Sequence, residues 1–300
     1  MHLNFNKLQK IVAIGGNGFI GKALKSLGHH QFTAISRTTT PSLDISKEAS
    51  MDDALGSMID KDTIVINMVG ILQESRNNTF ESVQLKGLKN IVDLVQSKKC
   101  KKFIQLSAIG ANKASNLPYF KTKGLAEEYI LNNLANSTIL RPSIVFGPDD
   151  SFFNRFSRMS NYMPVFPLIN GGISKFQPIY VKDLVDVIES AISNPLSNNK
   201  IYEVGGPDQM TYKDIIDLVL KSNKKKRYFV NVPASLMAIP ALFFERLPSH
   251  YDFVITRDQI KQLLLNNVCG LSTDCADLEE LGIVRKTFAH AKDIVPTYIK

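Results

Sequence analysis

A glycine-rich turn near the start of the chain constrains the fold more than any other feature of the sequence. Residues 15–21 read GGNGFIG, and they directly follow the apolar run 11–14. Glycine adopts the backbone angles of a tight turn at little cost and leaves room for a ligand to approach. A helix that begins after such a turn presents free amide groups and the positive end of its dipole to an anion. The pattern therefore predicts a strand, a phosphate-binding turn and a helix in succession.

The residues of this turn have separate expected roles. Gly18 would let a pyrophosphate approach the backbone, and Gly21 would let the helix pack closely against the sheet. The residues that we expect to contact a dinucleotide here are Gly15, Asn17, Gly18, Phe19, Ile20 and Gly21. A plain strand–helix turn is the alternative interpretation. The alternating pattern further along the chain favours the nucleotide site.

The first half of the chain alternates short apolar runs with helical patterns. Strands are predicted at 10–14, 32–35, 63–69, 102–106 and 137–140, and helices at 19–27 and 125–134. Between the third and fourth strands, Leu88, Ile91, Val92 and Val95 recur at the spacing of one helix face. This alternation predicts an α/β fold of the Rossmann type, a doubly wound parallel sheet with helices on both faces.

The regularity drops after Gly147 and Pro148. Residues 149–180 read as loops that cover a cleft, and helices are predicted to start at Asp183 as a cap, at Thr211, and over 257–265. The apolar stretch 236–247 is interpreted as the core of a small lobe, or as a surface that docks on a membrane-bound complex. We therefore predict a Rossmann domain over 1–148. Residues 149–300 are expected to complete part of its sheet and to form the small C-terminal lobe.

Composition excludes several functional classes. The chain has 300 residues, 44% of them hydrophobic, and no run reaches the roughly 18 apolar residues of a membrane span. Cys100, Cys269 and Cys275 form no CxxC pair, and the histidines lack metal-ligand spacing, so neither a disulfide scaffold nor a metal site is expected.

The net charge of +8 permits an anionic partner, but no motif points to nucleic acid. The lysine clusters at 98–102 and 224–227 are interpreted as solvated faces. The first residues resemble neither a signal peptide nor a transit peptide. We therefore expect a cytoplasmic protein, with a peripheral position on the inner membrane as the alternative.

The end of the second predicted strand bears on the choice of cofactor. A site that prefers NAD usually has an acidic residue there, which binds the ribose 2′-hydroxyl. This chain has Ser36 followed by Arg37, a pair that suits a 2′-phosphate. We therefore expect NADP(H) to be favoured over NAD(H), with Asp44 beside the adenine. The alternative for Arg37 is a solvated surface side chain.

A YxxxK motif formed by Tyr119 and Lys123 is the candidate for proton transfer. Residues four apart share a helix face. An ammonium group beside a phenol is expected to lower the pKa of Tyr119, which would make the pair a general acid–base for hydride chemistry. The lysine can also bond the nicotinamide ribose. An exposed helix start is the alternative interpretation.

Together these motifs resemble the short-chain dehydrogenase/reductase superfamily in its extended or atypical branch. The resemblance rests on GGNGFIG at 15–21, VINMVG at 65–70, FESVQLKGLKNIV at 80–92, FIQLSAIGA at 103–111, YFKTK at 119–123, LRPSIVFGP at 140–148, PIYVKDL at 178–184 and YEVGGP at 202–207. It implies cofactor contacts from Asn67, Val69 and Lys123, and a catalytic set of Ser107, Tyr119 and Lys123. Within that branch the chain looks most like the nucleotide-binding accessory subunits of respiratory complex I. The short gap between Ser107 and Tyr119 and the tail RDQIKQLLLNNV at 257–268 indicate this subgroup.

Two departures from the superfamily pattern bear on turnover. Gln84 stands where the superfamily has an asparagine that organises the proton relay, and either Ser107 or Ala108 occupies the place of the catalytic serine. Three functions stay open. The chain could be a nucleotide-binding accessory or assembly factor for a membrane respiratory complex or an anionic membrane surface. It could be an active NADP-dependent reductase or epimerase on a small or lipid-like substrate such as a quinone or nucleotide sugar. It could be a nucleotide-sensing regulator of a partner protein.

Overall fold

The computed structural model of the protein describes residues 8–47, 51–236 and 256–299. The chain divides into two units. The first unit comprises residues 1–142, 182–204 and 272–284, and the second comprises residues 143–181, 205–271 and 285–300. The predicted apolar stretch 236–247 lies outside the described residues except for Leu236.

The first unit is built on a six-stranded parallel sheet, which confirms the predicted α/β fold. The strands are β1 Lys10–Ile14, β2 Gln31–Ile35, β3 Thr63–Asn67, β4 Lys102–Leu106, β5 Ser137–Pro142 and β10 Lys200–Val204. Their order in the sheet is β10-β5-β4-β3-β1-β2, and every neighbouring pair is parallel. The strand order reverses at β1, which lies between β2 and β3. Ligands of open α/β sheets bind beyond the carboxyl ends of the strands at such a switch point.

Helices and short helical segments cover this sheet. They are α1 Phe19–Ser26, the π-helical segments Asp52–Gly56 and Glu81–Lys86, α2 Gly87–Ser97, α3 Pro118–Asn133 and α5 Val181–Ser193. The predicted face of α2 is buried in the core together with Val12 and Ile14 of β1. Ile11 and Ala13, which point to the opposite side of the same strand, are fully buried as well. Both faces of the sheet are therefore covered, as a parallel sheet requires.

Two expectations in this unit are wrong. Helix α5 begins at Val181, so Asp183 lies in the first turn and is not the N-cap. A carboxylate in the first turn still interacts favourably with the helix dipole. Lys102 is buried rather than part of a solvated face, and its ammonium donates to Ser197 Oγ at 2.5 Å and to the Asn194 carbonyl at 3.2 Å. Burial lowers the pKa of Lys102 to about 8.

The second unit is helical, with short paired strands. Its helices are α4 Phe153–Tyr162, α6 Tyr212–Ser222, α7 Arg257–Leu263 and α8 Ala291–Tyr298. Its strand pairs are β6 Val145–Phe146 with β9 Ile179–Tyr180, β7 Val165–Ile169 with β12 Tyr228–Val232, and β8 Lys175–Phe176 with β11 Met210–Thr211. Helix α6 starts after Thr211, as predicted. Within the described ranges, no helix has the length and hydropathy that crossing a membrane requires.

Residues 149–180 do not form the continuous loops that the sequence suggested. Helix α4 and strand β7 both lie in this stretch. Phe153, Phe156 and Met159 recur every three residues and bury one face of α4 in the core of the second unit. The apolar spacing of a helix is therefore present, but Asn, Arg and Ser between these residues obscured it.

Candidate functional site

The glycine-rich turn begins directly after the carboxyl end of β1, at the switch point of the sheet. Gly15 has a φ of +79°, a conformation that favours glycine. A Cβ atom on Gly15 would lie 3.1 Å from Val69 Cγ2 and 3.3 Å from the Val69 amide nitrogen. The turn therefore lies directly against the residues that follow β3, which places Gly15 and Val69 together as the cofactor-site prediction requires.

Close packing explains the last glycine of the motif. A Cβ atom on Gly21 would approach the Gly16 carbonyl oxygen to 2.3 Å, a distance that side chains do not adopt. Helix α1 consequently lies against the turn as closely as two backbones allow. Gly21 was expected to let the helix pack closely against the sheet, and the close approach that it permits is to Gly16 of the turn.

The N-terminus of α1 is open to an anion. Gly18 is the N-cap and is exposed, and no side chain of the described residues caps the helix there. The uncapped amide groups of the first turn carry the positive end of the helix dipole. Asn17 is also exposed, whereas Phe19 and Ile20 are half-buried. This arrangement fits the phosphate groups of a dinucleotide.

The end of β2 is tied to the glycine-rich turn through Asn17, whose side-chain amide donates to Ser36 Oγ at 3.3 Å. Arg37 is exposed beside this contact. Asp44 accepts hydrogen bonds from the amide and hydroxyl of Ser46 at 3.1 and 2.7 Å. Burial acts to raise the pKa of Asp44, but the Ser46 hydrogen bonds and the charges of Lys47 and Arg37 outweigh it and lower the pKa. Asn17 and Arg37 thus flank the same end of the sheet.

Asn67 at the end of β3 organises the next part of the site. Its amide nitrogen donates to Gln105 Oε1 at 2.9 Å, and its amide oxygen accepts from the Val69 backbone amide at 3.2 Å. Asn67 is buried, and its hydrogen bond to Gln105 is shielded from solvent. The two hydrogen bonds fix the turn that faces Gly15. This position makes Asn67 a residue that shapes the site.

Tyr119 and Lys123 both lie on α3 and both are buried, which excludes an exposed helix start. Tyr119 packs between Phe80 and Phe120, with ring centroids 5.6 and 5.1 Å away. Lys123 Nζ lies 5.6 Å from the centroid of the Tyr119 ring. The two side chains are therefore neighbours, as the i, i+4 spacing predicts.

The expected pKa change of Tyr119 is wrong in direction. Burial raises the pKa of Tyr119 above its ordinary value, because a phenolate in an apolar aromatic cluster loses its hydration. Burial also lowers the pKa of Lys123 to about 8, although the charge of Glu127 opposes that shift. The charge of Lys123 thus does not offset the effect of burial on the pKa of Tyr119.

Ser107, just beyond β4, is engaged by a partner that the sequence analysis did not identify. Its hydroxyl donates to Glu127 of α3. Arg141 of β5 donates to the same carboxylate, from Nη2 to Oε2 at 2.7 Å and from Nε to Oε1 at 3.1 Å. Among the described residues, no hydrogen bond links the Tyr119 hydroxyl to Ser107 or to Lys123. The three catalytic candidates are therefore close in the fold but do not form a connected network.

A small polar cavity of about 10 Å³ lies where these side chains meet. It is lined by Asn67, Val69, Val83, Gln84, Gln105, Ser107, Lys123, Ala126 and Glu127. Gln84 donates its amide to the Ile71 carbonyl at 3.1 Å, while its buried Oε1 finds no hydrogen-bond partner within the described part of the chain. The side chain of Gln84 is longer than that of the asparagine found in the superfamily, and it still lines the cavity.

Glu127, Gln105 and Arg141 are the site residues that the sequence analysis missed. Glu127 lies in the predicted helix 125–134, and Arg141 directly follows the predicted strand 137–140, within the observed strand β5. The available signal was a pair of opposite charges in or next to elements that pack against the sheet, because charged residues are rarely buried without a partner.

The residues present fit a nicotinamide dinucleotide. The exposed N-terminus of α1 suits a pyrophosphate, and the crevice at the switch point is the usual place for such a ligand. Gly18 leaves the approach to the backbone free of a side chain. A nicotinamide dinucleotide is therefore the cofactor class that this site accommodates.

Comparison with known sequences agrees with the geometry. The model of the NAD dependent epimerase/dehydratase family matches residues 11–205. A mitochondrial protein of Arabidopsis thaliana, "NADH dehydrogenase [ubiquinone] 1 alpha subcomplex subunit 9", is 30% identical over 243 residues, which cover 78% of this chain and 60% of that protein. The chain thus spans about 60% of the length of this curated relative.

Solved structures of low sequence identity share the fold. The dTDP-4-dehydrorhamnose reductase of Bacillus anthracis in complex with NADP has a TM-score of 0.64 at 15% identity, covering 77% of this chain and 86% of that one. The UDP-glucose 4-epimerase of Thermus thermophilus in complex with NAD has a TM-score of 0.62 at 16% identity, covering 84% of this chain and 99% of that one. With a family match that covers well over half of its residues, this chain belongs to the NAD dependent epimerase/dehydratase family.

Proposed function

We propose that the protein binds a nicotinamide dinucleotide, NADP(H) in preference to NAD(H), and serves as an accessory or assembly factor of a membrane respiratory complex, with little or no turnover. The observation that carries this proposal is a difference between the glycine-rich turn and the hydrogen bonds of the catalytic candidate Ser107. The glycine-rich turn and its surroundings are arranged for a nucleotide. The hydroxyl of Ser107, by contrast, is committed to Glu127.

The preference for NADP(H) is supported by Arg37. It lies two residues after the end of β2, is exposed and has Ser36, not an acidic residue, immediately before it. A guanidinium group binds a phosphate through charge-assisted hydrogen bonds, whereas an NAD site would place a carboxylate there. The hydrogen bond between Asn17 and Ser36 holds this end of the strand beside the glycine-rich turn.

The low turnover is supported by the hydrogen bonds of Ser107. A serine hydroxyl has one proton to donate, and here it goes to a carboxylate that Arg141 also fixes. Tyr119 has a raised pKa because of burial, so it is a weaker acid than an ordinary tyrosine. Both effects reduce proton transfer to a substrate.

The accessory role is supported by the similar proteins. The relative from Arabidopsis thaliana carries the name of a mitochondrial NADH dehydrogenase subunit. The corresponding place for this protein is a peripheral one, at the surface of an inner membrane, bound to the respiratory complex. Because this chain covers only part of that relative, the partner has to be identified by experiment.

An active reductase or epimerase is the second candidate. The observation in its favour is that Tyr119 and Lys123 remain neighbours on one face of α3. A bound cofactor and substrate could complete a network around them, since catalytic hydrogen bonds often tighten only in the complex.

Two measurements test the proposal. Native mass spectrometry of the purified protein should show a bound nicotinamide dinucleotide. Oxidation of NADPH with ketones, quinones and nucleotide sugars should be no faster with the wild-type protein than with Tyr119→Phe. A clear excess for the wild type with any of these substrates would instead establish an oxidoreductase, and absence of nucleotide binding would overturn the proposal as a whole.

A further inference from the structure

Glu127 is a buried carboxylate that the nucleotide-binding role does not explain. Its side chain is only 3% exposed, and it follows Lys123 by four residues in α3. Residues with this spacing lie on the same helix face, and both side chains line the polar cavity. Burial of an ionised group is costly unless its charge and its hydrogen bonds are satisfied. The partners of Glu127 therefore decide whether its burial is costly.

Those partners pair the carboxylate with a cation and hold it in one position. Arg141 forms a fork of hydrogen bonds to both carboxylate oxygens, and Ser107 donates a further one. Arg141 also reaches Asp274 Oδ1 at 3.1 Å, which anchors the guanidinium from its other side. Charge-assisted, two-pronged contacts of this kind are both strong and geometrically specific. Glu127 thus presents a fixed negative charge at the wall of the cavity.

Few ionisable groups surround Lys123. On its own helix they are Tyr119, whose ring lies beside the ammonium, and Glu127. The other described segments that line the cavity contribute neutral side chains, namely Asn67, Gln84, Gln105 and Ser107. Arg141 lies behind Glu127 and is already paired with it. Within the described part of the chain, Glu127 is therefore the one acidic side chain that lines the cavity together with the lysine.

The cavity itself favours a cation. The Gln84 Oε1 atom is buried there without a hydrogen-bond donor from the described residues. An ammonium group offers three donors and no acceptor, so it complements a cavity that holds an acceptor without a donor. If Lys123 were a neutral amine, the Glu127 carboxylate would attract it less strongly.

We propose that Glu127 is a positioning residue that holds Lys123 in its ammonium form at the nucleotide site. The inference rests on the proposed nucleotide binding, because the ammonium is the form that can donate to a ribose hydroxyl. Arg141 and Ser107 act through Glu127 by fixing the position of its carboxylate. In this view Ser107 belongs to the support of Lys123 rather than to a proton relay.

The direct test is the protonation of Lys123 in the nucleotide-free protein. Lysine side chains labelled with ¹³C at Cε would be titrated by NMR from pH 6 to 10, with Lys123→Arg identifying the signal. Burial lowers the pKa of Lys123 to about 8, and Glu127 acts against that shift. Glu127→Gln should therefore move the midpoint to lower pH by about one unit, which is about a tenfold loss of proton affinity.

Matched variants separate the charge effect from structural damage. Glu128→Gln removes the neighbouring carboxylate, which is exposed and paired with Lys113, and should leave the midpoint unchanged. If Glu127→Gln does not fold because Arg141 is left buried and unpaired, Glu127→Gln combined with Arg141→Met removes both charges and should show the same fall. An unchanged midpoint in the variant that folds would overturn the inference.

Nucleotide titrations then connect Lys123 to binding. The affinity of Glu127→Gln for NADPH should be close to that of the wild type at pH 6 and several-fold weaker at pH 8, where its Lys123 is neutral. Failure of the wild type to bind any nicotinamide dinucleotide would overturn the proposed function, whereas the NMR midpoint would still decide the role of Glu127. Equal losses of affinity at both pH values would contradict the role inferred for Glu127.

Discussion

Two glycines of the turn are required for different physical reasons. Gly21 is needed by the fold, since a Cβ atom there would meet the Gly16 carbonyl oxygen at 2.3 Å. Gly18 has a φ of −73°, which any residue can adopt, and an added Cβ atom would meet only the Gly15 carbonyl oxygen, at 3.2 Å. The fold therefore tolerates a side chain at position 18, and the proposed nucleotide site would explain why none is present there.

This difference gives the first prediction. Gly18→Val should keep the fold with a small loss of thermal stability and should abolish nucleotide binding, because the side chain would occupy the place of the pyrophosphate. Gly21→Ala should lower the melting temperature strongly, since backbone has to move. Thermal denaturation and fluorescence titration with NADPH measure the two effects. Retained binding by Gly18→Val would contradict the assignment of the turn.

Arg37 carries the second prediction. Arg37→Ala should weaken binding of NADPH about tenfold and leave NADH nearly unaffected, since only NADPH has the 2′-phosphate that the guanidinium would bind. Calorimetry with both nucleotides measures the preference. Lys22→Ala, an exposed cation of the adjacent helix, is the matched control and should leave the preference unchanged. Equal affinities of the wild type for the two nucleotides would contradict the reading of Arg37.

At the level of single residues, the sequence predicted neighbours better than environments. The i, i+4 spacing predicted the pairing of Tyr119 and Lys123, but not that both would be buried. Burial is what reverses the expected pKa change, and it depends on Phe80, which comes from a distant part of the chain. The contact between Ser107 and Glu127 likewise joins two segments whose meeting no local pattern records.

Among the secondary-structure elements, the sheet was more predictable than the second unit. The bounds of β1 and β4 are those predicted, because each is a short apolar run flanked by turn or charged residues. Helix α4 was missed, since its buried face consists of aromatic and sulfur-containing residues separated by polar ones. Periodicity is difficult to recognise when apolar residues fill so narrow a face.

Helix α6 provides the prediction at this scale. Thr211 accepts a hydrogen bond from the Asp214 amide, and the Asp214 carboxylate accepts one from the Thr211 amide in return. Thr211→Ala should cost about 1 kcal/mol of stability, and Asp214→Ala a similar amount, because each leaves a backbone donor unsatisfied. The double variant should cost less than the sum, since the two contacts support each other. Chemical denaturation measures these values. Full additivity would show that the two contacts act independently.

Over the whole molecule, positive charge is distributed unequally between the two units. The first unit has 20 Lys and Arg against 19 Asp and Glu, whereas the second has 16 against 9. The glycine-rich turn and the polar cavity belong to the nearly neutral first unit, and most of the net charge belongs to the second. A cationic unit attracts anionic partners over about one Debye length, roughly 10 Å at 0.1 M salt. The proposed respiratory partner is therefore expected to be bound mainly through the second unit.

Two pairs of lysines allow that expectation to be tested. Lys224 and Lys226 are exposed in the second unit, and Lys98 and Lys99 are exposed in the first. Each pair includes one residue with a left-handed backbone, with φ of 54° at Lys224 and 51° at Lys99, so substitution strains both pairs alike. Each pair changed to glutamate alters the net charge by the same amount. Lys225 and Arg227 are left in place, because they bind the end of α4 through Ser160.

The tagged protein would be mixed with detergent-solubilised respiratory membranes, and the retained NADH:ubiquinone oxidoreductase activity would be measured at low and at raised salt. Lys224→Glu with Lys226→Glu should reduce the retained activity several-fold at low salt, because two attractive charges become repulsive. Lys98→Glu with Lys99→Glu should retain as much as the wild type. Raised salt should narrow the difference between the two double variants, since screening weakens exposed charges. Circular dichroism would confirm that both variants are folded. If both double variants lost the same amount of retained activity, total charge rather than the second unit would govern the association. If neither variant lost retained activity, an electrostatic contact would be contradicted.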